Sequence, residues 1–407
     1  MLEHAFNLDW KRLDRWLLLA LAGLMVFGLL FVYSATRSND LFASASLLRQ
    51  PFVKQVVFYI GGLIMALVLC LRDYQQWARW SYVFYALGII LLVAVLIPAI
   101  GSERYGARRW IDLGITQFQP SEFAKLFFIL AFAQFLSRPE EELRRRNIRL
   151  KALALLGLPF GLVLLEPDLG SALMFLPTAL VMLYIAGAPR RFLKRLVGGA
   201  AAWVVFVLIY VFFVPAAWKP VQLPDYQKRR LMVYFGADYV KQYAPPNATP
   251  AEKSRWRALE RQDSYNVRQA MISVGSGGLT GKGWQQGIQN VHGYLPRGVA
   301  HNDFIFSVIA EESGLLGSAA VVVLYTIILL AGLRIATQAR DRLGKLLAAG
   351  IVALLFSQVF VNIGMNIRLM PVTGVPLPLL SYGGSSILMA LLAIGLLQNI
   401  RLHQRLR

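Results

Sequence analysis

The chain places ionisable side chains where a largely apolar sequence tolerates them least. HNDFIFSVIAEE, residues 301–312, sets Asp303 at the mouth of an apolar run that continues to about residue 333. QPSEFAK puts Glu122 and Lys125 three residues apart, on neighbouring positions of one helix face. EPDLG contributes Glu166 and Asp168, and PLPLLSYGGSS contributes Ser381 and Tyr382. Ionisable residues at membrane depth are costly and mark function unless they serve as partners for one another. A carboxylate in reach of a hydroxyl can take its proton as the oxygen attacks. Fixed cations can hold the negative charge that develops on a leaving group. YGARRWIDLG adds Arg108 and Arg109, whose planar forks suit a phosphate, with lipid headgroups as the plainer alternative.

Each group also has a structural reading. Glu122 and Lys125 can simply neutralise each other. Asp168 follows Pro167, a residue at home in a first helical turn, so Asp168 can serve the positive helix end. Asp303 can do the same for the run that follows it. Glu311 and Glu312 lie roughly 12 Å further along at helical rise, where burial implies partners and a structural role. GSGGLTGKGW, residues 275–284, is no Walker loop, because Gly283 stands after Lys282 where serine or threonine is required. It reads as a tight glycine loop resting on the membrane surface. His4, His292, His301 and His403 show no metal-ligand spacing, and only proximity to Asp303 recommends His301.

These residues are carried by a very apolar chain. Of its 407 residues 57% are hydrophobic and 16% charged, with mean hydropathy +0.53. A soluble protein would carry about 25% charged residues. Ten apolar windows of membrane-spanning character follow: 16–35, 52–72, 80–100, 119–137, a short 152–165, 169–187, 192–215, 303–333, 344–367 and 378–400. The expectation is an all-α polytopic membrane protein of about ten transmembrane helices in one domain, residues 1–407. Residues 216–302 are too polar to span and form a large extracytoplasmic loop. The first window is too long for a signal-peptide core and reads as an uncleaved span. Basic clusters at 144–151, 189–195, 334–345 and 401–407 put both termini in the cytoplasm. The net charge of +20 is spread over short loops, which indicates topology and anionic lipid contact and no nucleic acid. Cys70 is the sole cysteine, so no internal disulfide forms. In this topology spans 4, 6, 8 and 10 all begin outside. Their polar entrances therefore lie at one depth near the outer leaflet.

GARRWIDLGITQFQPSEFAK, EPDLGSAL, ISVGSGGLTGKGW, HNDFIFSVIAEESGLLG and NIGMNIRLMPVTGVPLPLLSYGGSS together resemble the SEDS family of bacterial membrane glycosyltransferases, RodA, FtsW and SpoVE. RodA, the elongation member, is the nearer; a division role like that of FtsW is the alternative. The resemblance covers about residues 10–400. It implies polymerisation of lipid II into peptidoglycan glycan at the outer face of the cytoplasmic membrane, with inversion and release of undecaprenyl diphosphate. It also implies a single-span class B penicillin-binding protein as partner. The family's catalytic aspartate falls on Asp303, and its functionally important polar residues fall on Glu122, Lys125, Asp168 and Ser381. Arg108, Arg109, Lys282 and His301 complete the candidate substrate-binding set. A divalent cation, Mg²⁺ or Mn²⁺, could share the diphosphate charge, with Glu122 and Asp168 as its ligands. The chain departs from the family at Asn302, where threonine or serine is usual, and at Arg368, where a small residue, often glycine, precedes LMPVTG. Extra residues near 240–262 lengthen the outer loop. A lipid-precursor flippase is the competing function, although the inner leaflet offers few polar groups for its path; a scaffold for the partner is a third reading.

Overall fold

The computed structural model describes residues 10–37, 50–104, 107–114, 116–213, 225–244, 248–295, 298 and 300–404; His4 and part of the 216–302 loop lie outside these. The described helices are α1 (Arg15–Arg37), α2 (Pro51–Cys70), α3 (Tyr74–Arg79), α4 (Ser81–Leu96), α5 (Pro120–Leu136), α6 (Glu140–Leu143), α7 (Arg146–Leu165), α8 (Leu169–Ile185), α9 (Arg190–Phe213), α10 (Asp225–Phe235), α11 (Tyr239–Tyr243), α12 (Pro250–Ser276), α13 (Ile288–Val291), α14 (Ile305–Gln338), α15 (Arg342–Asn366) and α16 (Gly384–Leu402). Each of the ten apolar windows holds one of them. Seven are long and apolar enough to cross a membrane, and α4 and α8 are shorter apolar helices. The fifth window is longer than its apolar stretch suggests. α7 begins at Arg146 because basic residues are good helix formers and the helix runs through them.

α15 and α16 are buried almost all round and form the centre of the bundle. α2 lies along α16, α1 along α14, α4 along α5 and α8 along α15. Outer helices turn large apolar side chains such as Leu19, Ile64, Leu158 and Phe206 outward. A multi-pass membrane protein presents that face to lipid. Because lipid is as apolar as leucine, close packing and hydrogen bonds must hold such helices together. Far from Asp303, Asp14 accepts from Arg334, and its backbone exchanges bonds with the Gln398 amide at 2.9 and 3.1 Å. Tyr74 donates to Asp341 at 2.7 Å and its backbone N–H to Asn399 at 2.9 Å. α1, α14 and α16 are locked at that end.

Two features differ from a plain helical bundle. Between α4 and α5 the chain forms a small antiparallel sheet, β1 (Gly101–Arg104), β2 (Ala107–Asp112) and β3 (Gln117–Phe118), in sequence order. Glu103 pairs with Arg108 across its first two strands. The 216–302 loop is also largely helical where described. Thr249 and Glu252 form a reciprocal capping box that starts α12, and Tyr243 of α11 stacks on Trp256 at 5.0 Å. The described residues of the stretch 240–262 thus build most of α11 and the first turns of α12.

The glycine loop does more than rest on a surface. α14 breaks at Gly314 (φ 66°, ψ −160°), and the loop inserts into the break. Lys282 and Gly283 donate backbone N–H groups to the Glu311 and Glu312 carbonyls, each at 3.0 Å. Leu315 and Leu316 donate to the Gly278 and Leu279 carbonyls at 2.9 and 3.1 Å. Gly281 has φ +81°, and a Cβ there would meet the Glu312 carbonyl oxygen at 2.2 Å. Gly281→Ala should therefore destabilise the protein by about 2 kcal/mol or more, through left-handed strain plus the clash. Gly157→Ala, in helical backbone with open space around it, should be neutral or slightly stabilising. Thermal midpoints in detergent compare the two; equal midpoints would remove the loop from the stability argument.

Candidate active site

Four helix entrances meet at one end of the bundle, tied by specific bonds. Gln119, just before α5, donates its side-chain amide to Asp168 at 3.3 Å and its backbone N–H to Ser385 of α16 at 2.9 Å. Ser381 donates to the Asn302 carbonyl at 2.6 Å and accepts from the Leu377 N–H at 2.8 Å. The Tyr382 N–H donates to the His301 carbonyl at 2.9 Å. Ser381 and His301, both buried, thereby fasten the turn before α16 to the segment that carries Asp303.

Asp303 lies two residues before α14. The N-cap of that helix is Phe304, and the Asp303 carboxylate caps none of its amides. Its backbone carbonyl instead accepts from Asn362 at 3.1 Å and Asn366 at 3.2 Å, two side chains one turn apart on α15. The carboxyl faces Gly374, where a Cβ would sit 3.6 Å from Oδ2 and 3.9 Å from Arg230 Nη1. Glycine at φ +77° leaves that space open. Burial pushes the Asp303 carboxyl up to about 6; Arg230 and then Arg109 oppose the shift, and Asp168 adds to it. Asp303 is therefore mostly ionised at neutral pH and close enough to all three for their charges to matter.

Asp168 combines both of its readings. It caps α8 by accepting from the Ser171 N–H at 3.1 Å, and its carboxylate lies 3.8 Å from the Arg109 guanidinium. Arg109 also donates to the Pro167 carbonyl. Arg108, its neighbour on β2, points elsewhere and pairs with Glu103 at 3.4 Å on a half-exposed face, as strand alternation requires. Glu122 and Lys125 form a closed pair at 2.6 Å with 0% and 1% of their side chains exposed, so neither presents a free group to solvent. Lys282 is in a separate cluster, bonded to Glu311 at 2.6 Å and Ser276 at 2.8 Å. Glu312 there accepts from Ser34 and from the Gln285 N–H, so both glutamates have the partners their burial implied. His301 is pushed down to about 4 by burial, which keeps it neutral near pH 7 and unsuited to hold an anion by charge.

No three His, Cys, Asp or Glu side chains converge on a cation position among the described residues. Asp168 is engaged by Ser171, Gln119 and Arg109, and Glu122 by Lys125. This pair does not fit a dedicated cation site. What the tertiary structure adds to the sequence-derived set is Arg230, Gln119, Asn362 and Asn366. The two asparagines interrupt an apolar run at i, i+4 spacing, which is a readable signal; Arg230 is one of several basic residues in its segment and carries none.

The arrangement suits chemistry on a hydroxyl beside an anion: a carboxylate of raised pKa, flanked by two guanidiniums, at the rim of a membrane bundle. The family model for cell cycle proteins of the FtsW, RodA and SpoVE type matches residues 15–406. The chain is 35% identical to peptidoglycan glycosyltransferase MrdB of Escherichia coli K12, over 98% of this chain and 96% of that protein. It is 31% identical to peptidoglycan glycosyltransferase RodA of Treponema pallidum, over 96% and 98% of the two chains. Among solved structures, a chain of a peptidoglycan synthase complex that coordinates polymerization and crosslinking is similar with TM-score 0.73 and 28% identity, covering 97% of this chain and all of that one. The rod shape determining protein RodA of Thermus thermophilus is similar with TM-score 0.64 and 26% identity, covering 98% and 100%. With the family model spanning nearly its full length and the same bundle in solved relatives, this chain belongs to the FtsW/RodA/SpoVE family.

Proposed function

We propose that this protein is a peptidoglycan glycosyltransferase that polymerises lipid II at the outer face of the cytoplasmic membrane, in cell elongation and shape. Family membership and the names of the relatives support the activity. One observation carries the mechanism: Asp303 stands ahead of α14, held through its own carbonyl, with Arg109 and Arg230 on its flanks.

In this reading Asp303 accepts the proton of an acceptor sugar hydroxyl as that oxygen bonds to the anomeric carbon of the donor. The bond from that carbon to the lipid diphosphate breaks, and the electron pair leaves on the diphosphate. A single base and no enzyme nucleophile give inversion, so an α-linked donor yields a β-linked product. Arg109 and Arg230 favour the ionised base and offer fixed positive charge near the leaving group. The buried pair Glu122–Lys125 neutralises two charges within α5, just after Gln119, which ties the start of that helix to Asp168 and Ser385. Burial of Lys125 argues for that supporting role over direct contact with diphosphate.

Removing the base tests the mechanism. Asp303→Asn should fold and bind lipid II yet lose roughly 10²–10⁴-fold in polymerisation rate. Because the carboxylate caps no helix amide, the thermal midpoint should hardly change. A rate within a few-fold of wild type would remove Asp303 from the chemistry, and loss of lipid translocation in vesicles instead would favour a flippase.

The acid limb follows from the same group. Protonation of Asp303 removes the base, so the rate should fall about tenfold per unit as pH drops below about 6. Arg230→Gln should move that limb to higher pH and Asp168→Asn to lower pH, because the first charge favours ionisation and the second opposes it. A limb that stays put in both variants belongs to another group.

Both termini inside and residues 216–302 outside complete the reading. With the buried Cys70 replaced, an impermeant thiol reagent should label Ser254→Cys in intact spheroplasts and Thr337→Cys only after lysis. The reverse pattern would turn the site inward. The partner is a single-span class B penicillin-binding protein, a reading supported by the similar chain in a synthase complex. Adding it to the purified chain should raise polymerisation; an unchanged rate at saturating partner would sink an activating role.

A further inference from the structure

A cavity of about 420 Å³ opens beside Asp303, between α10, α12 and the turn that follows α15. Arg229, Arg230 and Arg368 line it against one carboxylate, Asp263, which pairs with Arg229 at 3.5 Å. Gln262 and Asn266 of α12 add neutral amides. Arg230 donates to the Val372 carbonyl at 3.3 Å, and a Cβ on Gly374 would lie 3.9 Å from its Nη1 and 3.6 Å from Asp303 Oδ2. Arg230 therefore borders both the cavity and the base.

Arg368 is the unusual member. α15 ends at Asn366, and the N–H groups of Leu369 and Met370 turn back to the Gly364 carbonyl at 2.7 and 3.1 Å. That helix stop holds Arg368 at φ 59°, the left-handed region where glycine is at ease and a long side chain is strained. The physical reason a small residue suits this position is thus visible, and so is the strain of departing from it. Among the described residues the exposed Arg368 guanidinium reaches the Val233 carbonyl at 3.4 Å and pairs with no carboxylate. A strained residue whose charge is left unneutralised at the rim of a cationic cavity is poorly explained by stability.

We propose that this cavity is an oxyanion subsite, with Arg368 as its outer fork, holding a phosphate or carboxylate group of one substrate molecule while its sugar reaches Asp303. This deepens the polymerase reading and rests on it. Three guanidiniums against one carboxylate leave a net positive lining, and planar forks bind such groups bidentately. Glycosyl transfer between two lipid-linked glycopeptides brings two anionic molecules to one base. Arg109 lies with Asp168, whereas Arg230 opens on this cavity, so the two flanks of Asp303 can each face one of them.

The test uses the purified full-length chain and two soluble probes. Inorganic pyrophosphate carries phosphate without peptide; a lipid-free disaccharide-pentapeptide carries carboxylates without phosphate. Arg368→Gly suits the backbone at this position, so its thermal midpoint should hold or rise. Calorimetric binding of one probe should weaken about tenfold or more in Arg368→Gly and recover in part in Arg368→Lys, which keeps the charge without the fork. Weakened pyrophosphate binding assigns the subsite to phosphate, and weakened glycopeptide binding assigns it to carboxylate. Equal affinity of wild type and Arg368→Gly for both probes, or no binding of either by wild type, would overturn the subsite. Polymerisation of lipid II by the same preparations is scored separately, and its absence in wild type would overturn the polymerase reading instead.

Discussion

Buried backbone groups must find partners within the protein, and this constraint governs the break in α14. At Gly314 the helix frees carbonyls and amides, and another stretch of backbone satisfies them in register. The glycine loop supplies it, with two donors to Glu311 and Glu312 and two acceptors for Leu315 and Leu316. That pairing brings the backbones too close for a Cβ at Gly281, which explains the glycine there. It also joins α12 to the bundle, since the loop is the continuation of that helix.

The charged residues then fall into two groups. Lys282–Glu311, Glu122–Lys125 and Asp14–Arg334 are ion pairs with at least one buried carboxylate, and removing one partner would strand the other. The first and last join elements that lipid cannot press together, whereas Glu122–Lys125 neutralises two charges within α5. Around Asp303 the arrangement differs. Its carboxylate makes no bond to a helix amide, its carbonyl is fixed by Asn362 and Asn366, and its charge is balanced from a short distance by Arg230 and Arg109. A base tied directly to a cation would be too weak to take a proton, whereas an isolated one would be protonated at neutral pH. The geometry lies between these limits.

Hydropathy alone located a helix in each of its ten windows, seven of them long and apolar enough to cross a membrane, because a span of apolar residues long enough to cross lipid has few alternatives to helix. The five motifs pointed to the family, and the polar entrances of spans 4, 6, 8 and 10 to the region of the site. The i,i+3 pair Glu122–Lys125 was legible, but pairing partners in other segments were beyond reach. Arg108 and Arg109 are adjacent and alike in sequence, yet strand alternation sends one to Glu103 and the other to Asp168. Lys282 sits in a motif, but the break at Gly314 draws it to Glu311. Arg230 looks like an ordinary basic loop residue, and Arg368 stands out only as a departure from the family pattern, until α10, α12 and the end of α15 enclose a cavity between them. Periodicity and composition describe what each segment does with its own neighbours in the chain. Which charge faces which depends on contacts between separate segments, and only the packed bundle decides those.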